Sequence, residues 1–330
     1  SRRRNARSIR ESQQRLGNGG PRTQAADSDA KPNLPRAITH LTKQRTTVNI
    51  LDEIADRTRQ RVAEQKRIRP LPSVRAAAEA ALARDTGPQA FPFEEALRQP
   101  GVQFIAEVKR ASPSKGLIAP DFPYLQIAHD YEAAGAAAIS CLTEPYWFQG
   151  RNEYLSEIAR EVGIPVLRKD FVVDEYMIYE AKELGARAVL LICAILDDAQ
   201  LAAFRGLCDE LRLSALVEAH TAQEVERAVA CGARVIGVNN RDLKTFTVDM
   251  RAAQALRNLV PADTLFVSES GIKTADDVQA ARAMRADAVL VGETLMRAPD
   301  KQAKLAELRG SAVSEADPGA KRPVNKHNRP

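Results

Sequence analysis

No stretch of this sequence approaches the roughly 18–20 consecutive apolar residues that a membrane-spanning helix needs. The longest, AVLLICAIL at 188–196, reads as a buried strand running into a connection. Cysteine is scarce and scattered: Cys141, Cys193, Cys208 and Cys231 form no C-x-x-C pair and show no metal-ligand spacing. They read as small buried hydrophobes in a reducing compartment, which argues against a disulfide framework. The four histidines are equally dispersed, so no metal site is expected. Aromatic residues make up only 5%, and no nucleic-acid recognition motif is present. A G-x-G-x-x-G turn is absent too, which removes the usual signature of a dinucleotide-binding sheet.

Charge of either sign is present but unevenly placed. Residues 1–46 hold eleven Lys and Arg against three Asp and Glu, a charge of +8 that leaves the rest of the +5 chain at −3. This segment is rich in Arg, Gln, Asn, Ser and Gly and has little to bury, so it reads as a disordered tail. It has no secretory h-region. Its Arg-rich, acid-poor character faintly resembles an organelle transit peptide, set against a default cytoplasmic location. A second disordered tail is expected over 310–330.

Between these tails, 44% hydrophobic content allows a large core. The pattern repeats: amphipathic helix, glycine or small-residue stop, short apolar strand. Eight strands are expected, at 102–109, 137–144, 164–171, 187–194, 214–220, 234–240, 264–270 and 287–293. Helices fall between them, such as 174–184, 221–230 and 274–284, the last opened by a Thr274/Asp277 capping box. The punctuation AAGAAAI, EVGIPVL, ELGARAVL and ACGARVIG puts glycine where a helix C-cap gives way to a strand. Strict alternation with Val/Ile/Leu/Ala strands implies a parallel sheet covered by helices. Eight units imply an α/β fold of the (β/α)8 TIM-barrel type at 47–309; an open doubly wound sheet is the structural competitor. An N-terminal helical extension occupies 47–101, with Ile50, Leu51, Ile54 and Val62 near one stripe. That stripe can cap the barrel bottom or lie over its mouth.

The polar residues then take on a pattern. FIAEVKRASPSKG at 104–116 starts as a strand whose one face is apolar while the other carries Glu107 and Lys109. Lys169, Glu218, Asn239 and Glu269 likewise end the third, fifth, sixth and seventh strands. Singly these are ordinary: a lone Glu-x-Lys is usually a structural ion pair, and a lone Asn a cap. Six from five strands at the C-terminal mouth of a barrel are not, since unpaired buried charges cost several kcal/mol each. Gly271 and Gly292 directly follow the last two strands, where this fold commonly binds phosphate through backbone N–H groups. Ser112 adds a hydroxyl, while Trp147, Phe148 and Phe171 offer a flat apolar wall. A lysine among other cations there is expected to have its pKa drawn toward neutrality.

IAEVKRASPSKG, LTEPYWFQG, VLRKDF, LVEAHT, GVNNRDL, SESGI and VGETLMR, in this order, resemble the indole-3-glycerol phosphate synthase family over residues 48–308. The resemblance implies a cofactor-free lyase of tryptophan biosynthesis. It converts 1-(2-carboxyphenylamino)-1-deoxyribulose 5-phosphate to indole-3-glycerol phosphate with loss of CO2 and water. By the same resemblance Lys169 is the general acid at the carbonyl oxygen, and Glu218 is the base or the carboxylate that stabilises the iminium. Lys109 binds the substrate carboxylate and serves the dehydration. Glu107 and Asn239 orient this network, with Arg241 in support. Glu269, Ser270 and Leu190 fall at substrate-contacting positions, with Ser112, Gly271, Gly292 and Glu293 in the phosphate cradle. Many relatives carry Ser where Glu293 stands, which matters only if the hydroxyl is used.

Two other functions compete. Phosphoribosyl isomerases on related barrels rely on Asp/Cys or paired Asp at the first and fifth strands, where this chain has Glu107, Lys109 and Glu218. A nucleic-acid role would rest on the basic tail alone. The expected partner is therefore a small phosphorylated substrate, not nucleic acid or membrane. With no obvious dimer patch, a monomer is the default.

Overall fold

A computed structural model describes residues 49–87, 90–242 and 247–310. The tails expected at 1–46 and 310–330 lie outside the described residues, Gly310 excepted. Eight parallel strands close into a barrel in chain order: β1 (Gln103–Val108), β2 (Ala138–Leu142), β3 (Val166–Lys169), β4 (Ala188–Ile192), β5 (Ser214–Ala219), β6 (Val235–Asn239), β7 (Leu265–Glu269) and β8 (Ala288–Val291). The ring is sealed where β1 pairs with both β2 and β8, Ile105 lying opposite Ala138 on one side and Leu290 on the other. Nearly every strand residue is buried. That accounts for their almost continuous apolar sequence: one face fills the barrel and the other packs under helices. All eight expected strands are present, one or two residues shorter at their ends.

The helices start where short polar side chains can satisfy their free N–H groups. Asp174, Thr221, Thr274 and Asp300 each accept a backbone N–H two or three residues on, and Thr274 and Asp277 form the expected capping box. The glycine stops hold at Gly135, Gly185 and Gly232, which close their helices at positive φ. Gly163 departs from this. Val162 has already turned extended, so no left-handed residue is needed, and the Gly163 N–H donates to Glu132 instead. At two other stops, Arg212 and Arg285 adopt the left-handed conformation without glycine.

The extension comprises α1 (Ile50–Ile68), α2 (Leu71–Arg84) and α3 (Pro92–Leu97), and it reaches both ends of the barrel. Ile50, Leu51 and Ile54 face the mouth. Arg61 of α1 grips Asp170, just past β3, through both carboxylate oxygens at 3.0 Å. Lys66 and Arg69 follow with ion pairs to Asp174 and Glu183. α2 then packs along the helix Glu175–Glu183, and Asp85 meets Lys182 and Arg187, the latter just ahead of β4. Glu94 of α3 finally accepts hydrogen bonds from Ser214 and Arg234 at the N-terminal ends of β5 and β6. The segment thus covers mouth, flank and bottom in turn.

Candidate active site

A cavity of about 450 Å³ opens at the C-terminal ends of the strands. Glu107, Lys109, Ser112, Phe148, Lys169, Phe171, Leu190, Glu218, Asn239, Arg241, Glu269, Ser270, Gly271, Gly292 and Glu293 all line it. Trp147 does not. In EPYWFQG the buried Glu144 carboxylate accepts the N–H groups of Tyr146, Trp147 and Phe148, and this curls the loop. Phe148 is thereby turned to the cavity, while Trp147 packs against the core. The expectation that Trp147 belongs to the apolar wall is corrected; Phe148 and Phe171 form it, ring centroids 6.1 Å apart.

The strands bring charges from distant parts of the chain to one centre. Lys169 Nζ lies 3.0 Å from Glu218 Oε2 and 3.1 Å from Glu269 Oε2, so β3 is bonded to β5 and β7 across the barrel. Asn239 Nδ2 donates to Glu218 Oε1 at 3.4 Å, and Asn239 Oδ1 accepts the Arg241 N–H at 3.0 Å. On β1, Lys109 Nζ stands 2.5 Å from Glu107 Oε1. Two glycines make room for these carboxylates. A Cβ at Gly292 would run into Glu107, and one at Gly237 into Glu269.

Three buried carboxylates outnumber the two ammoniums here, and the electrostatics follow. Burial works against the Lys169 ammonium, but the charges of Glu218, Glu269 and Glu107 overcome it and hold the pKa well above the usual lysine range. The expected drift toward neutrality is therefore reversed, because the nearest neighbours are carboxylates, not cations. Burial also pushes Glu218 upward, but Lys169 and then His220 bring it below the ordinary carboxylate value. Glu269 rises to about 7: burial dominates, the Glu218 charge adds to it, and Lys169 offsets only part. One of its oxygens, Oε1, is buried with no hydrogen-bond partner.

Further cations line the cavity. Lys115 follows Ser112 in the loop after β1, Lys273 follows Gly271, and Arg241 follows β6. The loops after β7 and β8 are tied by Thr294 Oγ1 donating to the Ile272 carbonyl at 2.7 Å. Ser270 and Gly271 both take positive φ, which aims the backbone of this turn at the cavity. Glu293 is held between Arg297, at 3.0 Å, and Lys115, at 3.7 Å. Sequence reasoning missed Lys115, Lys273, Gly237, Asn240 and His220. The first two were visible as loop lysines in SPSKG and GIKT, and Gly237 as a glycine inside a strand pattern, a sign of close approach. Asn240 bridges to the Glu269 and Ser270 carbonyls at 2.9 and 3.1 Å, a contact that no linear pattern announces.

The arrangement combines a proton donor, ionisable carboxylates, an apolar wall and a cationic rim, which suits a small anionic substrate with a flat apolar part. Comparison with known proteins points the same way. A family model described as indole-3-glycerol phosphate synthase matches residues 51–308. The indole-3-glycerol phosphate synthase of Ruminiclostridium cellulolyticum is 53% identical over 80% of this chain and 100% of its own length. That of Lachnoclostridium phytofermentans is 49% identical over 79% of this chain and 98% of its own. A solved 3-hexulose-6-phosphate synthase superposes with a TM-score of 0.50 at 15% identity, covering 64% of this chain and 99% of that one, a likeness of fold alone.

Proposed function

Since the chain belongs to the indole-3-glycerol phosphate synthase family, we propose that Lys169, Glu218 and Lys109 carry the chemistry and that the remaining cavity residues place the substrate for it. The activity is that of a carboxy-lyase of tryptophan biosynthesis. It closes the indole ring of 1-(2-carboxyphenylamino)-1-deoxyribulose 5-phosphate, releasing CO2 and water. The observation that carries the assignment of roles is Lys169 Nζ held between Glu218 and Glu269 at the cavity centre.

Ring closure turns a ketone carbon into an electrophile, so its oxygen needs a donor. Lys169 meets that need, since its carboxylate neighbours keep it protonated. Attack by the anthranilate ring leaves an iminium. Glu218 stabilises that cation, and as its charge is shared with the substrate its hold on the Lys169 proton weakens. Proton transfer is thus favoured as the ring closes. Lys109 binds the substrate carboxylate and then serves the dehydration, with Glu107 as its ion-pair partner. Asn239 and Arg241 hold Glu218 in place through the bonded chain at the end of β6. Glu269 and Ser270 meet substrate hydroxyls, while Phe148, Phe171 and Leu190 pack on the ring. The phosphate lies against Ser112, Gly271, Gly292 and the backbone N–H of Glu293, near Lys115 and Lys273. Four free cysteines, three of them buried, suit a reducing compartment such as the cytoplasm.

Turnover of the carboxyphenylamino-deoxyribulose phosphate by the purified chain, followed by indole fluorescence, tests this directly. Lys169→Ala should lose about 10²- to 10⁴-fold in kcat while its circular dichroism stays unchanged. A Lys169→Ala variant near wild-type rate would overturn the acid assignment.

A further inference from the structure

Next to Glu218, on the side away from Lys169, sits an imidazole that the mechanism has not used. His220 lies one residue past β5 and just before the helix Ala222–Ala230. Its Nδ1 is 3.3 Å from Glu224 Oε2, the same oxygen that accepts the His220 backbone N–H at 2.7 Å. An ionised carboxylate can only accept, so Nδ1 carries a proton. The other nitrogen, Nε2, is buried 3.4 Å from Glu218 Oε1 and has no hydrogen-bond partner of its own. In a neutral imidazole this Nε2 would point a lone pair at a carboxylate oxygen, two acceptors facing each other out of water. A second proton turns the contact into a buried ion pair.

We propose that His220, as an imidazolium spanning Glu224 and Glu218, is a positioning residue for ring closure: it holds the Glu218 carboxylate ionised and turned so that Oε2 remains with Lys169. The inference rests on the role given above to Glu218. The charged and titratable groups around the ring come from every neighbouring element. Glu218 is on β5, Glu224 on the following helix, Glu269 on β7, and Lys169 on β3 beyond Glu218. Cys193, in the turn after β4, donates to the Glu224 carbonyl. Arg227 is engaged by Asp198 and the carbonyls of Cys193 and Leu196. Anionic neighbours outweigh cationic ones. Burial alone would lower the imidazole pKa, but the bond to Glu224 and the charges of Glu218, Glu224 and Glu269 raise it above its ordinary 6.5. The imidazolium therefore persists to higher pH than that of an ordinary histidine, and its contribution to kcat falls as pH rises through the raised value.

Kinetics over a pH series, with NMR titration of the imidazole in the free enzyme, test the idea. His220→Leu should lower kcat by about 10- to 100-fold, the effect of leaving the buried Glu218 carboxylate without this cation, with KM little changed. His220→Gln keeps a donor that does not titrate, so it should recover part of that loss and flatten the alkaline limb of the kcat profile. Glu224→Gln should move that limb to lower pH. Independently of turnover, the His220 titration should shift down in Glu218→Gln. A Glu218→Gln variant that keeps its rate would sink the role of Glu218 itself. A His220 titration indifferent to an inactive Glu218→Gln, or wild-type kcat and pH profile in His220→Leu, would overturn the positioning role alone.

Discussion

Burial and close charges shift the titration of Lys169, Glu218 and Glu269 away from their ordinary values, and stability reflects that. Glu269 is the clearest case, a buried carboxyl with one unpartnered oxygen and a pKa of about 7 against an ordinary 4.5. Its folded-state pKa lies above its unfolded one. The folded protein therefore holds the proton more tightly, and that stabilising contribution is full below about pH 4.5 and lost as pH rises through about 7. Glu269→Gln mimics the protonated form. Its melting temperature should match wild type at pH 4.5 and exceed it increasingly up to pH 8, while turnover falls. Equal melting curves at pH 8 would contradict the raised pKa. At this scale the sequence was informative about direction and silent about partners. Period-two alternation showed that Lys169, Glu218 and Glu269 leave the barrel core on its inner side. It could not show that one ammonium serves both carboxylates, because that contact spans three strands and up to 100 residues.

Among the elements, the extension depends on one buried contact more than on its many surface pairs. Arg61 and Asp170 are nearly or wholly buried, whereas Lys66–Asp174 and Arg69–Glu183 are about a third exposed. Burial would raise the Asp170 carboxyl, but Arg61 and then Arg168 hold it below its usual value. Removing Arg61 leaves a buried anion short of its bidentate partner, which costs about 3 kcal/mol, while surface pairs of this kind contribute under about 1 kcal/mol. Arg61→Met should therefore lower the urea midpoint far more than Arg69→Met. Because the Asp170 pKa is depressed, its contribution is present above pH 3.8 and lost as pH falls through the folded value, so the gap between the variants should narrow in acid. Similar losses in both variants at neutral pH would show that α1 is held by its apolar stripe instead. That stripe was legible in Ile50, Leu51, Ile54 and Val62. Its docking over the mouth was not, since nothing local distinguishes one end of a barrel from the other.

For the whole molecule, all cavity-lining residues among those described lie from Ile50 onward. A chain lacking residues 1–46 should keep its kcat, KM and melting temperature, and loss of turnover would give the basic segment a part in the enzyme. By itself the sequence determined the number and order of strands, the parallel barrel, the end of it where the polar residues gather and most of the residues that reach it. These follow from local periodicity and from a fold in which C-terminal strand ends converge. Only the tertiary structure decided that Lys169 is surrounded by carboxylates and stays protonated, that Phe148 and not Trp147 faces the cavity, and that His220 backs Glu218. Those outcomes depend on distances across a closed ring and on how much water remains there, and neither quantity is a property of any segment alone.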